Sequence, residues 1–443
     1  MRGLRRRRVR SALKKPRLLL IAPFGSYRTA PFLAAAERWA EVVLASEGTS
    51  NIVRSGLPGL RLALDDLDGC ERALRDEMER GGPFHAILGL DDWGTQVAGL
   101  LAPRLGLAGN PPRAVEIARR KDHARAALRA AGVRVPWHQV LALDAPLPAL
   151  DDLPYPLVLK PVALAGSRGV MRVEDPAGLR KALARLAAIL GHDARAVWNR
   201  ALVERFVPGA EIALEGLLTD GVLQTLAIFD KPEPLNGPFF EETYYITPSR
   251  HDAATREAVR REVERGARAY GLREGPIHAE CRLNAEGVWV IEIAARTIGG
   301  LCGRLLRFGT GLSLEELVVR HALGESITVA PRTGAAGVLM IPIPGSGLLK
   351  RVEGLMAADR VPGVTEVVID VREGQELVPL PEGASYLGFL FAEGPDPVAV
   401  HEALKTAHGH LRFVLAPVWR PVLMSQEEAG FGETRPARGM PPA

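Results

Sequence analysis

From Arg17 onward the chain alternates short apolar runs with stretches whose apolar residues recur at helical spacing: 18–22, then 30–39, then 42–45, with a later pair at 85–88 and 96–105. This alternation predicts a small parallel α/β unit. The unit closes near Gly109-Asn110-Pro111-Pro112, where two prolines end one element and suit the first turn of the next. A helix is expected over 113–131, stopped by Gly132. Strands follow at 156–162 and 169–173 around a glycine-containing loop, then a helix over 176–190 and strands at 201–206 and 211–218 on either side of Pro208-Gly209. Residues 230–249 mix charge with Phe239, Phe240, Tyr244 and Tyr245 without a period, so a loop of functional weight is expected there. A helix over 253–270 leads into a hairpin, 276–283 and 288–293. The last third reads strand 338–343, helix 348–357, strands 364–371 and 386–391, helix 397–407 and strand 411–415, a βαββαβ order that predicts a ferredoxin-like lobe.

Composition and charge narrow the function. With 47% hydrophobic and 24% charged residues over 443 positions, the chain is folded rather than disordered. The net charge of +4 is concentrated at one end. Residues 1–15 hold six Arg and two Lys with no acid, which leaves the rest near −4, and no basic nucleic-acid face is expected. That arm and the Gly- and Pro-rich tail, 419–443, are expected to be solvated and flexible. Cys70, Cys281 and Cys302 lack metal-ligand spacing, which fits a cytoplasmic setting without disulfides. The apolar stretch 18–24 is too short to span a membrane. The sequence has no Walker, dinucleotide, zinc-protease or nucleophile-elbow signature.

The sharpest chemical signal lies in the hairpin. A three-residue loop, Ala285-Glu286-Gly287, pairs 284 with 288, and counting outward puts Glu280 opposite Glu292. Their Cβ atoms are then about 5 Å apart. Two such carboxylates repel each other unless a cation lies between them, and Mg²⁺ prefers oxygen ligands of this kind. A register shift of one residue would instead put the two on opposite faces. Lys160 ends the apolar run Leu157-Val158-Leu159, either snorkelling to water or aimed at an anion. Just beyond it, Gly166-Ser167-Arg168-Gly169 is a turn whose N–H groups suit phosphate. Lys121 shares a helix with Arg119, Arg120 and Arg125, while Glu204 and Glu211 flank a turn. Taken singly, these three are ordinary surface charges.

In order along the chain, the motifs resemble those of the ATP-grasp superfamily, over residues 16–418. Arg119-Arg120-Lys121-Asp122 is similar to the family's first lysine motif, and Tyr155-Pro156-Leu157-Val158-Leu159-Lys160-Pro161 to its second, with Gly166, Ser167 and Arg168 as the loop over the phosphates. In Val203-Glu204-Arg205-Phe206-Val207-Pro208-Gly209-Ala210-Glu211, the resemblance implies that Glu204 and the Val207 backbone meet the adenine and that Glu211 meets the ribose. In Val290-Ile291-Glu292-Ile293-Ala294-Ala295-Arg296, it implies a metal ligand at Glu292, with Glu280 beside it, and a phosphate or carboxylate contact at Arg296. Ala294 stands where the family usually has an asparagine that ligates a second metal.

Residues 228–231, 239–249 and 296–300 resemble the L-amino acid ligase branch. The resemblance implies four expected parts: an N-terminal parallel α/β domain (16–110), an ATP-grasp domain of two α+β lobes (111–330), a ferredoxin-like lobe (331–418) and the flexible ends. ATP and Mg²⁺, with Mn²⁺ as the alternative, would be the cofactors. A small carboxylate and an amine would be the partners, with Lys160 and Arg296 acting in catalysis. No nucleic acid or membrane partner is expected, and a homodimer stays open. Two rival expectations are a biotin-carboxylase-like or purine-pathway ligase, and a nucleotide-binding regulatory protein whose catalysis has lapsed.

Overall fold

A computed structural model of the chain describes residues 15–48, 59–191, 199–308, 311–329, 333–383 and 385–418. The basic arm, Lys15 apart, and the tail 419–443 lie outside the described residues.

The first sheet is parallel, in the order β3-β2-β1-β4, from β1 (Arg17–Ala22), β2 (Glu41–Ser46), β3 (Gly59–Arg61) and β4 (Ala86–Gly89). Its helices are α1 (Thr29–Ala36), α2 (Leu67–Gly81) and α3 (Asp91–Arg104). The strands are apolar without alternation because both faces are covered. Leu18, Leu20 and Leu44 pack in one core with Phe32, and Leu19, Ile21 and Val43 pack in another with Leu74 and Leu101. Two helices then meet end to end, α4 (Pro112–Arg119) and α5 (Lys121–Ala130), and the extended Arg120 between them divides the single helix expected there.

The second sheet is antiparallel, in the order β5-β8-β6-β7, from β5 (His138–Ala142), β6 (Leu157–Pro161), β7 (Met171–Val173) and β8 (Arg200–Arg205), and it packs under α6 (Pro176–Gly191).

Eight antiparallel strands form the largest sheet, in the order β13-β12-β9-β10-β11-β16-β20-β18. These are β9 (Ala210–Thr219), β10 (Val222–Lys231), β11 (Tyr244–Thr247), β12 (Gly275–Asn284), β13 (Gly287–Ala294), β16 (Ala335–Ile341), β18 (Val364–Ile369) and β20 (Gly388–Gly394). Between them lie α7 (Ala253–Tyr270), the short pair β14 (Arg307–Phe308) and β15 (Leu312–Ser313), and α8 (Leu314–Ala322). Ser313 and Glu316 start α8 with a reciprocal capping box. Around β18 and β20 run β17 (Gly347–Glu353), α9 (Leu355–Asp359), β19 (Glu376–Leu377), α10 (Pro397–His410) and β21 (Arg412–Ala416).

The C-terminal lobe therefore departs in detail from the expected βαββαβ order. Residues 347–353 form a strand where a helix is expected over 348–357, because Leu349 and Val352 pair with Leu415 and Phe413 of β21. The strands β16-β20-β18 stand side by side in one sheet, but β11 flanks β16 and makes them continuous with the central strands. The aperiodic stretch 230–249 also holds more order than expected, since its last part is β11.

Candidate active site

One face of the large sheet carries the chemistry in successive cross-strand rows. The first row is Lys231, Glu211 and Arg282; the second is Phe229, Ala213, Glu280 and Glu292; the third is Ala227, Glu215, His278 and Ala294. Side chains two apart on a strand share a face, so Glu211 and Glu215, and likewise His278, Glu280 and Arg282, stand together. The opposite face is apolar: Ile212, Leu214, Ala279, Cys281 and Val290 pack with α7.

The Glu280–Glu292 pairing holds, by a different route from the one read in the sequence. The turn has two residues, since Asn284 pairs with Gly287, and this register would put Glu280 opposite Ile291, one residue short of Glu292. An extra residue on β13, Ile291, shifts the ladder between Cys281 and Glu280 and restores the pair. The Ile291 carbonyl accepts a hydrogen bond of 2.7 Å from Arg125.

Above this face lies a chamber of about 670 Å³. Lys121, Lys160, Gly166, Ser167, Glu204, Val207, Glu211, Glu280, Glu292 and Arg296 all line it. Arg168 does not: its Nε donates to the Glu382 carbonyl at 2.9 Å, and Gly169 N donates to Pro381 O at the same distance, so the glycine turn is tied to the C-terminal lobe. Gly166 and Ser167 themselves face the chamber with φ of 64° and 54°.

At the end nearest that turn, Glu204 takes ion pairs from both Arg125 and Lys160. Val158 lies directly opposite Glu204, which puts Lys160 diagonally across from it on the same face. All three are buried. Burial works against the Glu204 charge, but the two cations overcome it and hold the carboxyl at about 2. Lys121, the first residue of α5, donates to Leu164 O at 2.9 Å and stands 3.4 Å from Glu292. Phe206, Phe240 and Leu235 add an apolar wall beside Glu211.

The far end is built by other elements. Arg296 is held by Asp92 of α3 at 2.8 Å, and Arg28 pairs with Asp91 while donating to Ile298 O at 2.9 Å. Gly300 N donates to the Tyr27 hydroxyl at 2.8 Å. Three links from the first α/β unit thus strap down residues 296–300. Met340, Tyr386 and Phe389 bring an apolar wall from the C-terminal part of the chain, and Tyr245 packs in the same cluster with its hydroxyl on Glu242 at 2.8 Å. Tyr244, one residue earlier on β11, faces away into the C-terminal core against His401. Burial alone would depress His278, yet hydrogen bonds to Glu215 and Glu280 push it up to about 9.

Glu280 and Glu292 are partly exposed to the chamber, and their hard oxygens fit a divalent cation; Ala294 beside them offers no ligand. The sequence motifs did not single out Arg28, Asp91, Asp92 or His278 for the site, and Lys231 and Glu242 entered only as members of the segments 228–231 and 239–249, with no role. His278 carried a local signal, standing two residues before Glu280 on a strand.

Comparison with known proteins agrees with this architecture. The ATP-grasp domain family matches residues 153–304, and the family "L-amino acid ligase C-terminal domain 2" matches residues 339–416. Over 315 residues the chain is 31% identical to carnosine synthase 1 of Gallus gallus, covering 66% of this chain and 33% of that one. Over 215 residues it is 32% identical to the alanine–anticapsin ligase of Bacillus subtilis strain 168, covering 44% and 45%. The crystal structure of an L-amino acid ligase from Bacillus licheniformis superposes with a TM-score of 0.74 at 26% identity, over 91% of this chain and 99% of that one. The chain spans a third to less than half of the length of those two curated relatives. Residues 153–304 thus carry an ATP-grasp domain and residues 339–416 an L-amino acid ligase C-terminal domain, in a fold similar to that of an L-amino acid ligase.

Proposed function

We propose that the chain is an ATP-dependent carboxylate–amine ligase that joins L-amino acids, or a related small carboxylate and amine. One observation carries this: a single chamber has cations and a phosphate-type turn at one end, a facing pair of carboxylates in the middle, and Arg296 beside an apolar-walled space at the other. An oxygen of the substrate carboxylate attacks the γ-phosphorus, the bond to ADP breaks, and an acyl phosphate results. The amine nitrogen then attacks the acyl carbon, loses a proton, and phosphate leaves.

Lys121, Lys160 and the Gly166–Ser167 turn bind and orient the phosphates, while Glu211 and the Phe206–Phe240 wall take the nucleoside. Glu280 and Glu292 would hold Mg²⁺ or Mn²⁺, which neutralises charge on the transferred phosphoryl group when bound. Arg296, fixed by Asp92, receives the carboxylate or the transferred phosphoryl group. The turn, tied to Pro381 and Glu382, keeps water from the acyl phosphate. The three cysteines are buried thiols, in keeping with a cytoplasmic enzyme. Among the described residues no helix is long and apolar enough to cross a membrane.

The likeness to the L-amino acid ligase and the alanine–anticapsin ligase supports amino acids as substrates. The test is phosphate release from ATP across a panel of amino acids, singly and in pairs, with product mass recorded. Release that needs two amino acids and yields their condensed mass is the expected result. ATP binding with no release for any pair would favour lapsed catalysis, for which Ala294 is the supporting feature.

A further inference from the structure

The phosphate-facing turn and the substrate end of the chamber meet in one short stretch of the C-terminal lobe. Residues 379–383 make a tight turn, in which Gly383 N donates to Pro379 O at 2.9 Å. A Cβ at Gly383 would lie 1.8 Å from the Val378 carbonyl oxygen, so only glycine fits there. This turn grips the glycine turn over the chamber: Gly169 N donates to Pro381 O and Arg168 Nε to Glu382 O, both at 2.9 Å. The Glu382 carboxylate is held through both oxygens by Arg185 of α6, at 2.5 and 2.8 Å. Three and four residues beyond Glu382, Ser385 and Tyr386 line the chamber, and Leu387 N is fixed to Ile341 O at 2.9 Å.

Arg185 and the glycine turn belong to the same small lobe. Leu159, Met171, Leu183 and Leu186 pack α6 onto the second sheet. Gly169 has a φ of 74°, and a Cβ there would come within 2.8 Å of Leu186, so the turn lies against the helix next to Arg185. A second set of contacts joins this lobe to the central part of the chain: Arg172 of β7 donates from N to Pro238 O and from Nη1 to Asn236 O, both at 2.8 Å. The Arg185–Glu382 pair is of another kind. Its side chains are 44% and 42% exposed, so the pair can part into water without leaving a buried charge. It is a clasp that opens at little cost.

We propose that Glu382 is a positioning residue that clasps the phosphate-facing turn shut and makes that closure depend on a filled substrate end. A substrate packed against Tyr386 steadies the clasp four residues earlier, and the clasp holds Gly166 and Ser167 over the phosphates. The linkage is reciprocal: a substrate that favours the clasped state slows nucleotide release, and bound nucleotide tightens the substrate by the same factor. An unclasped turn would admit water to the acyl phosphate. The proposal deepens the ligase function and rests on it wherever nucleotide or substrate is measured.

The experiment follows hydrogen exchange of the backbone amides of 166–171 in the full-length chain, then release of a fluorescent, non-hydrolysable ATP analogue by stopped flow. Without any ligand, Glu382→Gln should exchange these amides roughly two- to fivefold faster than wild type, the range for losing an exposed ion pair of good geometry. Unchanged exchange overturns the clasp. Arg185→Gln removes the same pair, so adding Glu382→Gln to it should change nothing further; additive effects would show that the two residues act separately and would also overturn the proposal. With the analogue bound, amino acids that serve as substrates should slow its release from wild type, and Glu382→Gln should lose most of that slowing. Equal slowing in both proteins would mean that the clasp does not sense the substrate end. If wild type binds no nucleotide, the ligase function fails while the exchange rates still judge the clasp.

Discussion

Two lysine–carboxylate clusters border the same chamber with opposite charge balance. Around Glu204, two cations, Arg125 and Lys160, share one buried carboxylate. Around Lys231, one ammonium serves three carboxylates, Glu211, Glu242 and Glu280. The first is buried and the second only partly exposed, so solvent screens neither imbalance fully. The first leaves surplus positive charge beside the glycine turn, where an anion is attracted. The second leaves surplus negative charge beside Glu292, where a cation is. The phosphates and the metal of a nucleotide complex need this polarity, and it follows from how many glutamates surround each lysine, with Arg282 beside Glu211 and His278 beside Glu280 offsetting part of the negative side.

The most severe way to break the contrast is to neutralise its negative side. Glu292→Gln keeps the shape and removes one charge from the facing pair, and it also takes away the partner of Lys121. Phosphate release should fall by at least about 10²–10³-fold, the range for losing an electrostatic contributor in a closed site. Circular dichroism and thermal melting should stay near wild type, since Glu292 is partly exposed. Residual activity near the wild-type level would remove Glu292 from metal binding.

Next in size is the positive side, tested by pH. The Glu204 carboxyl titrates at about 2 in the folded chain against an ordinary 4.5, so its contribution is present above 4.5 and disappears as pH falls from there towards 2. The shift corresponds to roughly 3 kcal/mol. Glu204→Gln should therefore be less stable than wild type by about that much at neutral pH, with the gap closing below pH 4.5 in denaturant unfolding. A gap independent of pH over that range would show that the carboxylate charge contributes little. Lys160→Ala removes one of the two cations, and a charge-assisted hydrogen bond of about 1.5–3 kcal/mol corresponds to a tenfold or greater loss of ATP affinity by calorimetry. Equal affinity would place the phosphates elsewhere.

The unequal clusters also show what the sequence could reveal. Lys121, Lys160, Glu280, Glu292 and Arg296 stood out because each lies in a local motif or a hairpin whose period can be counted. Lys231 and Glu242 lay inside the segments 228–231 and 239–249, but nothing local pointed to their meeting. Their partners come from different strands and from the chain after Pro238, and no local period brings them together. Counting back from the Asp220-Gly221 turn also misplaces Lys231, because the β9–β10 ladder shifts by one residue between Thr225 and Ala227 before pairing Lys231 with Glu211. The same kind of bulge at Ile291 makes the Glu280–Glu292 pair correct although the loop length counted for it was not. Arg28, Asp91 and Asp92 lie more than 190 residues from the loop they strap down, a distance no motif spans. The strand Gly347–Glu353 escaped for a related reason: its apolar spacing also fits a helix, and β21 decides the matter.

The smallest expected effect separates two adjacent tyrosines that the sequence could not tell apart. Tyr245 belongs to the negative cluster: its hydroxyl donates to Glu242, and its ring covers Lys231. Tyr244 points to the other face of β11, against His401, and does not line the chamber. Tyr245→Phe keeps the ring and removes one hydrogen bond from a carboxylate that still holds the Lys231 ammonium, so Glu242 is not left unpaired. The cost should thus lie near that of an ordinary hydrogen bond, about 0.5–1.5 kcal/mol, or roughly two- to tenfold in substrate KM. ATP affinity should not change, because the partners of Glu242 are Lys231 and Tyr245 rather than Lys160 or the glycine turn. Tyr244→Phe should leave both constants within error, since the hydroxyl has no place in the chamber. Equal effects from the two substitutions would mean that β11 acts on the site through stability rather than through the face it presents, and a shift in ATP affinity with Tyr245→Phe would show that the positive and negative clusters are coupled instead of separate.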